Sequence, residues 1–328
     1  MYIVTGGAGF IGSAFVHRLN QAGIDNIWIV DSLGHSLKWK NLLALRFEEY
    51  FHKEDFLKKV LEKSLPTKMD AIIHMGACSS TTETNADYFM QNNYYYSRIL
   101  AEWAVQHKIR FIYASSAATY GDGSLGFADN LEISHNLKPL NIYGYSKQIF
   151  DLWLMHKQWM DQVVGLKFFN VFGPNEYHKG DMRSVAHKAY QQVKEKGKVQ
   201  LFKSYRPDYI DGEQCRDFLY IKECVEMMWL VLNNDRINGL LNIGTGQART
   251  WNDLMKAVFK AMGKRSHIDY VDMPESIRHQ YQYHTQADMQ KAAQLGCYRT
   301  QWTLEKAVED YVVNYLEKSD PYLGGESA

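Results

Sequence analysis

The stretch Asn141 to Lys147 reads NIYGYSK and sets two phenols close to one ammonium. Tyr143 precedes Lys147 by four positions and Tyr145 precedes it by two. Residues four apart on a helix share a face, whereas residues two apart lie on nearly opposite sides at about 100° per residue. The spacing therefore selects Tyr143. A nearby ammonium favours phenolate and draws a tyrosine down from its usual pKa of ~10. Such a tyrosine can take the proton of a substrate alcohol as a hydride leaves for a nicotinamide. Upstream, RFIYASS runs into SSAATYG, which places Ser115 or Ser116 at the carboxyl end of a strand. Ligands of parallel sheets bind at that end, and a hydroxyl there can bond the reacting oxygen.

The chain opens with a second chemical signal, TGGAGFIGS, between a short β-branched run and a helical pattern. Gly7, Gly9 and Gly12 satisfy GxGxxG, and Gly6, Gly9 and Gly12 satisfy GxxGxxG. Glycines allow a tight turn and close approach to a pyrophosphate, and the helix end offers free N–H groups. Asp31 follows the next apolar run, IWIV, where the fingerprint needs an acid for the adenosine ribose. That acid favours NAD, whereas Lys38 and Lys53 could neutralise the extra phosphate of NADP. The residues alone leave the two cofactors even.

These groups need a scaffold. Apolar runs at Tyr2 to Thr5, Ile27 to Val30, Ala71 to Ala77, Arg110 to Ser116 and Val163 to Gly173 read as strands. Helical patterns cover Phe56 to Glu62, Asp87 to Gln106 and Tyr145 to Gln158. The alternation predicts an α/β fold, a doubly wound parallel Rossmann sheet with a smaller, mixed substrate-binding domain. The expected division gives residues 1–171 plus roughly 215–247 to the nucleotide domain. Residues 172–214 plus roughly 248–318 form the substrate domain, with helices near Ser184 to Lys196, Trp251 to Met262 and Leu304 to Leu316, and residues 319–328 are a flexible tail.

Composition narrows the partners. Lys plus Arg and Asp plus Glu are both 37, which argues against a nucleic-acid binder. No apolar run approaches the ~18 residues of a membrane span. Four cysteines without a CxxC pair fit a reducing cytoplasm and indicate neither zinc nor redox chemistry. His178, His187 and His284 lack metal-ligand spacing and read as polar site lining or surface; no metal is expected.

TGGAGFIGS, SSAATYG and YGYSK in this order resemble the extended short-chain dehydrogenase/reductase family. The resemblance implies a catalytic set of Ser116, Tyr143 and Lys147, with Lys147 also on the nicotinamide ribose. A more specific likeness, from residue 1 to about residue 315, rests on GACSSTTE, NNYYYS, KPLNIYGYSK, FFNVFGPNEYHKGDMRSVA, CRDFLYI, NIGTG and YQYHTQAD. These segments resemble the ADP-glyceromanno-heptose 6-epimerases. That family inverts C6″ of an ADP-heptose for lipopolysaccharide cores, with tightly bound NADP. It uses a second base, the lysine of HKG, here Lys179, because the ketone must turn away from the tyrosine before hydride returns to its other face. It also implies a homo-oligomer, a homopentamer in that family.

By position, the likeness implies cofactor contacts at Phe10, Ile11, Asp31, Ser32, Lys38, Lys53, Met75, Gly76, Ala77, Cys78, Ser79, Asn92, Lys147, Val171 and Lys179, beside the loop glycines. Substrate contacts carry to Ser79, Ser116, Asn170, Asp181, Lys188, Phe202, Lys203, Ser204, Tyr205, Arg216 and Tyr281. Arg216 suits a diphosphate, and a salt bridge to Asp217 is its structural alternative. Asp181, Lys188, Ser32 and the longer stretch before Arg216 depart from the family pattern. An NAD-dependent nucleotide-sugar 4-epimerase is the runner-up, and a non-catalytic NADP-binding sensor is the alternative of another class. A 4,6-dehydratase needs acids after its serine, where Ala117 and Ala118 stand.

Overall fold

The structure, a computed structural model, describes residues 1–79, 83–278, 281–298 and 300–325. Ser80, Thr81 and Thr82 of GACSSTTE and the last three residues of the chain lie outside these.

In chain order the strands are β1 (Tyr2–Thr5), β2 (Ile27–Asp31), β3 (Glu49–His52), β4 (Ala71–His74), β5 (Arg110–Ser116) and β6 (Val163–Phe168). They continue with β7 (Asn170–Phe172), β8 (Val199–Phe202), β9 (Cys215–Tyr220), β10 (Gly239–Ile243), β11 (Ala248–Thr250) and β12 (Ile268–Val271). Seven form one parallel sheet in the order β10-β6-β5-β4-β1-β2-β3. Its two faces are two cores. Val4, Ile29, Ile73, Ile112 and Leu166 point to one, and Ile3, Val30, Ile72, Phe111 and Val163 to the other. This period-2 alternation with both faces apolar is what a sheet covered by helices on both sides requires. Truncating one of these buried isoleucines to alanine costs about 2–5 kcal/mol.

The chain leaves β1 toward β2 and β3 on one side and returns through β4 on the other. That reversal opens a crevice beyond the carboxyl ends of β1 and β4, where such sheets bind ligands.

Several expectations change on folding. The run from Val163 to Gly173 is not one strand. It breaks at Phe169: β6 stays in the main sheet, and β7 pairs with β9 in a second sheet ordered β11-β9-β7. β9, expected in the nucleotide-binding part, therefore sits outside the main sheet. β8 and β12 pair in a third sheet. Near-continuous apolar character does not tell which sheet a strand joins. The helix of Asp87 to Gln106 runs from Ala86 and widens into a π turn at Met90–Tyr95. The tail, expected to be frayed, is docked as far as residue 325. Leu323 is buried and donates its N–H to Asn175 Oδ1 at 2.9 Å, and Tyr177 donates its hydroxyl to the Pro321 carbonyl at 2.7 Å.

Candidate active site

The helix that carries Tyr143 and Lys147 begins earlier than its apolar periodicity suggests. Asn141 caps it, with Oδ1 accepting the Gly144 N–H at 2.9 Å, and the helix spans Ile142–His156. Tyr143 and Lys147 thus stand on the first turns, on one face. Both line a cavity of about 490 Å³ in the crevice beyond β1 and β4. Tyr145 is exposed, in keeping with its position on the other side. Ser116 ends β5 and lines the same cavity, with Ser115 beside it. The two serines have different partners. Ser115 donates to Asp151 Oδ2 at 2.7 Å, inside a buried cluster with Tyr113 and Lys167, whereas Ser116 is the partner of Tyr143.

The expected effect of Lys147 on Tyr143 is not what the ligand-free chain shows. Burial raises the Tyr143 pKa, the Ser116 hydrogen bond opposes this, and Cys78 adds to the rise. Desolvation outweighs any help from the ammonium. Lys147, itself 3% exposed, is lowered to about 8 by burial, with Asp151 and Cys78 working the other way.

The glycine loop lines the same cavity. Gly6 has φ 65°, and a Cβ there would stand 2.6 Å from the Gly76 nitrogen. A Cβ on Gly12 would stand 2.1 Å from the Gly6 carbonyl oxygen. Gly9 caps the Phe10–Gln21 helix without a side-chain hydrogen bond, and its first turn holds no acid. Backbone N–H groups and the positive helix end are therefore left for an anion, so these residues fit a dinucleotide pyrophosphate. Phe10, Ile11, Met75, Gly76, Ala77, Ser79 and Val171 also line this cavity. Gly7 does not; it packs on Ile29 and shapes the turn.

A smaller cavity of about 190 Å³ adjoins it, lined by Asp31, Ser32, Lys38, Lys53, Cys78 and Asn92 among others. Asp31 accepts the N–H groups of Ala8 at 2.9 Å and Ser32 at 2.7 Å. Lys38 pairs with Asp31, and Lys53 donates to Asn92 Oδ1 at 2.6 Å. Asn93, inside the π turn, holds both backbone groups of Cys78, at 2.8 and 2.9 Å, and donates to Ser146 at 2.9 Å.

Lys179 enters the large cavity from the Tyr177–Met182 turn, with Nζ 5.4 Å from the Phe10 ring centroid. Burial lowers its pKa and Glu176 opposes the shift. His178 lines the cavity beside it, while His187 is buried against Tyr177. Asn170 is exposed on the cavity rim, its Oδ1 accepting from Thr285 at 3.3 Å.

The other expected substrate residues do not line either cavity. Asp181 is exposed, and Lys188 stands half-buried on the Val185–Lys196 helix. Phe202 ends β8, and Lys203, Ser204 and Tyr205 follow it. There Lys203 pairs with Asp272 at 3.1 Å, Ser204 takes its place through Asp211, and Tyr205 lies under Arg278 at 3.9 Å. Arg216 is 6% exposed, sandwiched between Trp251 and Tyr281, 5.4 and 5.3 Å from their centroids. It donates to the Cys215 and Gln282 carbonyls, not to Asp217. Asp217 instead accepts from Thr245, Gly246 and Ala287. Trp251 joins this group to the cavity, which it lines. Sequence reading missed Trp251, Met182 and Arg183, all cavity-lining: no motif carries Trp251, and Met182 and Arg183 stand inside FFNVFGPNEYHKGDMRSVA with nothing in their spacing to mark a role.

A model of the NAD dependent epimerase/dehydratase family matches residues 2–244. The chain belongs to that family. It is 56% identical to an ADP-L-glycero-D-manno-heptose-6-epimerase of Nitratidesulfovibrio vulgaris, over 98% of this chain and 100% of the relative. It is 46% identical to the protein of the same name from Fusobacterium nucleatum, over 98% and 100%. These relatives place it among the heptose epimerases of the family. The solved Helicobacter pylori ADP-L-glycero-D-manno-heptose-6-epimerase superposes with TM-score 0.79 at 28% identity, covering 95% of this chain and 94% of that one. A Bacillus cereus UDP-glucuronic acid 4-epimerase, solved in complex with UDP-glucuronic acid and NAD, superposes with TM-score 0.74 at 26% identity, covering 94% of this chain and 97% of that one. The family binds a nicotinamide cofactor, and no helix among the described residues is long and apolar enough to cross a membrane.

Proposed function

We propose that the chain interconverts ADP-D-glycero-D-manno-heptose and its L-glycero epimer at C6″, with resident NADP and two proton-transferring residues, for lipopolysaccharide core synthesis. One observation carries this reading: Tyr143 and Lys179 line a single cavity from two separate elements. The bound nicotinamide would take a hydride from the carbinol carbon and return it. Tyr143 rests as the neutral phenol, the form that delivers a proton to a ketone oxygen. Its phenolate, which takes the alcohol proton, needs the positive charge that Lys147 carries below about pH 8. Ser116 orients the reacting oxygen. Inversion requires the ketone to present its other face, which carries the oxygen away from Tyr143. Lys179 then supplies the second proton site, and its lowered pKa brings the neutral amine closer to use.

NADP is favoured over NAD by the second cavity, where Lys38 neutralises Asp31 and Lys53 stands nearby. The 56% relatives support the ADP-heptose substrate. We further place the protein in the cytoplasm as a homo-oligomer, following the family resemblance. Mass spectrometry of the nucleotide released on denaturation tests the cofactor, with NADP expected and NAD overturning it. Lys179→Met and Tyr143→Phe, assayed with each epimer separately, test the mechanism. Each is expected to lower interconversion by about a hundredfold or more. Full activity of Lys179→Met would overturn the two-base reading and favour a 4-epimerase-like single base.

A further inference from the structure

Asn41 lies outside every motif and is 2% exposed, in the short turn Leu37–Leu42 that also carries Lys38. Its side-chain amide nitrogen reaches three acceptors on two other segments. It donates to the Ala8 carbonyl in the glycine loop at 2.9 Å, to the Asn175 carbonyl at 3.1 Å, and toward His178 Nδ1 at 3.3 Å. Its own carbonyl oxygen has no partner among the described residues. An amide that leaves a buried acceptor unmatched while its hydrogens bridge three loops is placed for the bridging.

The far end of the bridge is equally fixed. Asn175 is fully buried with φ 76°, a left-handed conformation that asparagine tolerates better than most side chains. Its amide donates to Ser13 Oγ at 3.0 Å on the cofactor-binding helix, and its Oδ1 holds Leu323 of the docked tail. Lys179 follows four residues later, and Lys38 precedes Asn41 by three. One buried side chain therefore joins the turn that carries Lys38 to the turn that carries Lys179.

The geometry points to Asn41 as a positioning residue: it couples occupancy of the Lys38 site to the placement of Lys179. This rests on the proposed role of Lys179. When the phosphate end of the cofactor pins the Leu37–Leu42 turn, Asn41 holds Asn175 and His178 in register. Lys179 Nζ is thereby kept over the Phe10 ring.

The experiment uses the NADP-loaded holoenzyme with Asn41→Ala, and with His178→Leu as a milder variant that removes only one of the three contacts. Amide hydrogen exchange is followed in the Tyr177–Met182 turn and in β1 and β4. Single-turnover reduction of the nicotinamide by each epimer is measured in parallel. The expected result for Asn41→Ala is exchange faster by about tenfold or more in the turn alone, with the strands unchanged. Reduction by the epimer that uses Lys179 should fall by about tenfold, with reduction by the Tyr143-dependent epimer kept. His178→Leu should shift both in the same direction by less. Unchanged exchange in the turn, or equal loss with both epimers, overturns the inference. Lys179→Met is run alongside. If it oxidises both epimers normally, the second-base reading fails, and the exchange data still decide whether the brace exists.

Discussion

The ammonium of Lys38 lies 2.5 Å from the carboxylate of Asp31, at the end of β2. An acid at this position by itself disfavours a 2′-phosphate. Paired, it becomes the anchor that holds a cation toward it. Lys38→Ala removes the cation and leaves the acid uncompensated where the 2′-phosphate of the proposed NADP would sit. NADP affinity is expected to fall by about tenfold or more, the worth of one charge-assisted contact, while NAD affinity changes little. Titration calorimetry with both nucleotides checks this, and equal losses would place Lys38 away from the phosphate.

Lys147 carries its charge only below about pH 8. Above that pH the ammonium beside Tyr143 is lost, so the turnover rate is expected to fall as pH rises through about 8. Asp151 stands one helical turn beyond Lys147 and raises its pKa. Asp151→Asn therefore moves the alkaline limb to lower pH. A pH–rate profile of both proteins measures the shift; coincident limbs would show that another group controls it.

The crowding at Gly12 makes a sharp test of the cofactor cradle. Its missing Cβ would lie 2.1 Å from a backbone oxygen, which no side-chain rearrangement relieves. Gly12→Ala should push the helix end from the Gly6 turn and reduce co-purified nucleotide to a trace. Absorbance and mass spectrometry of the purified variant report it.

His74 is buried between Tyr96 and Phe111, with Thr5 on one ring nitrogen and Ser97 on the other. Burial pushes its pKa down to about 3 from 6.5. Between those values the unfolded chain binds a proton that the native chain refuses. The native state thus loses stability as pH falls through this window, by up to about 1.4 kcal/mol per unit, and keeps its full margin above 6.5. His74→Gln should unfold with a shallower acid dependence in denaturant titrations at several pH values. An unchanged slope would assign the acid lability to other groups.

The residue pattern alone pointed to the parallel sheet and to a dinucleotide site at its carboxyl end. Period-2 and helical runs mark the strands and covering helices, the glycine loop announces a dinucleotide, and the four-residue spacing separates Tyr143 from Tyr145. These signals are local, because strand and helix periods and tight turns depend on near neighbours. Tertiary structure alone decided how distant segments meet. Only there does β7 leave the main sheet for β9, Lys38 close on Asp31, Arg216 turn from Asp217 to lie between Trp251 and Tyr281, and the tail dock on Asn175. Burial of the folded site also reversed the expected sign at Tyr143, since desolvation depends on everything packed around a group rather than on its neighbours in the chain.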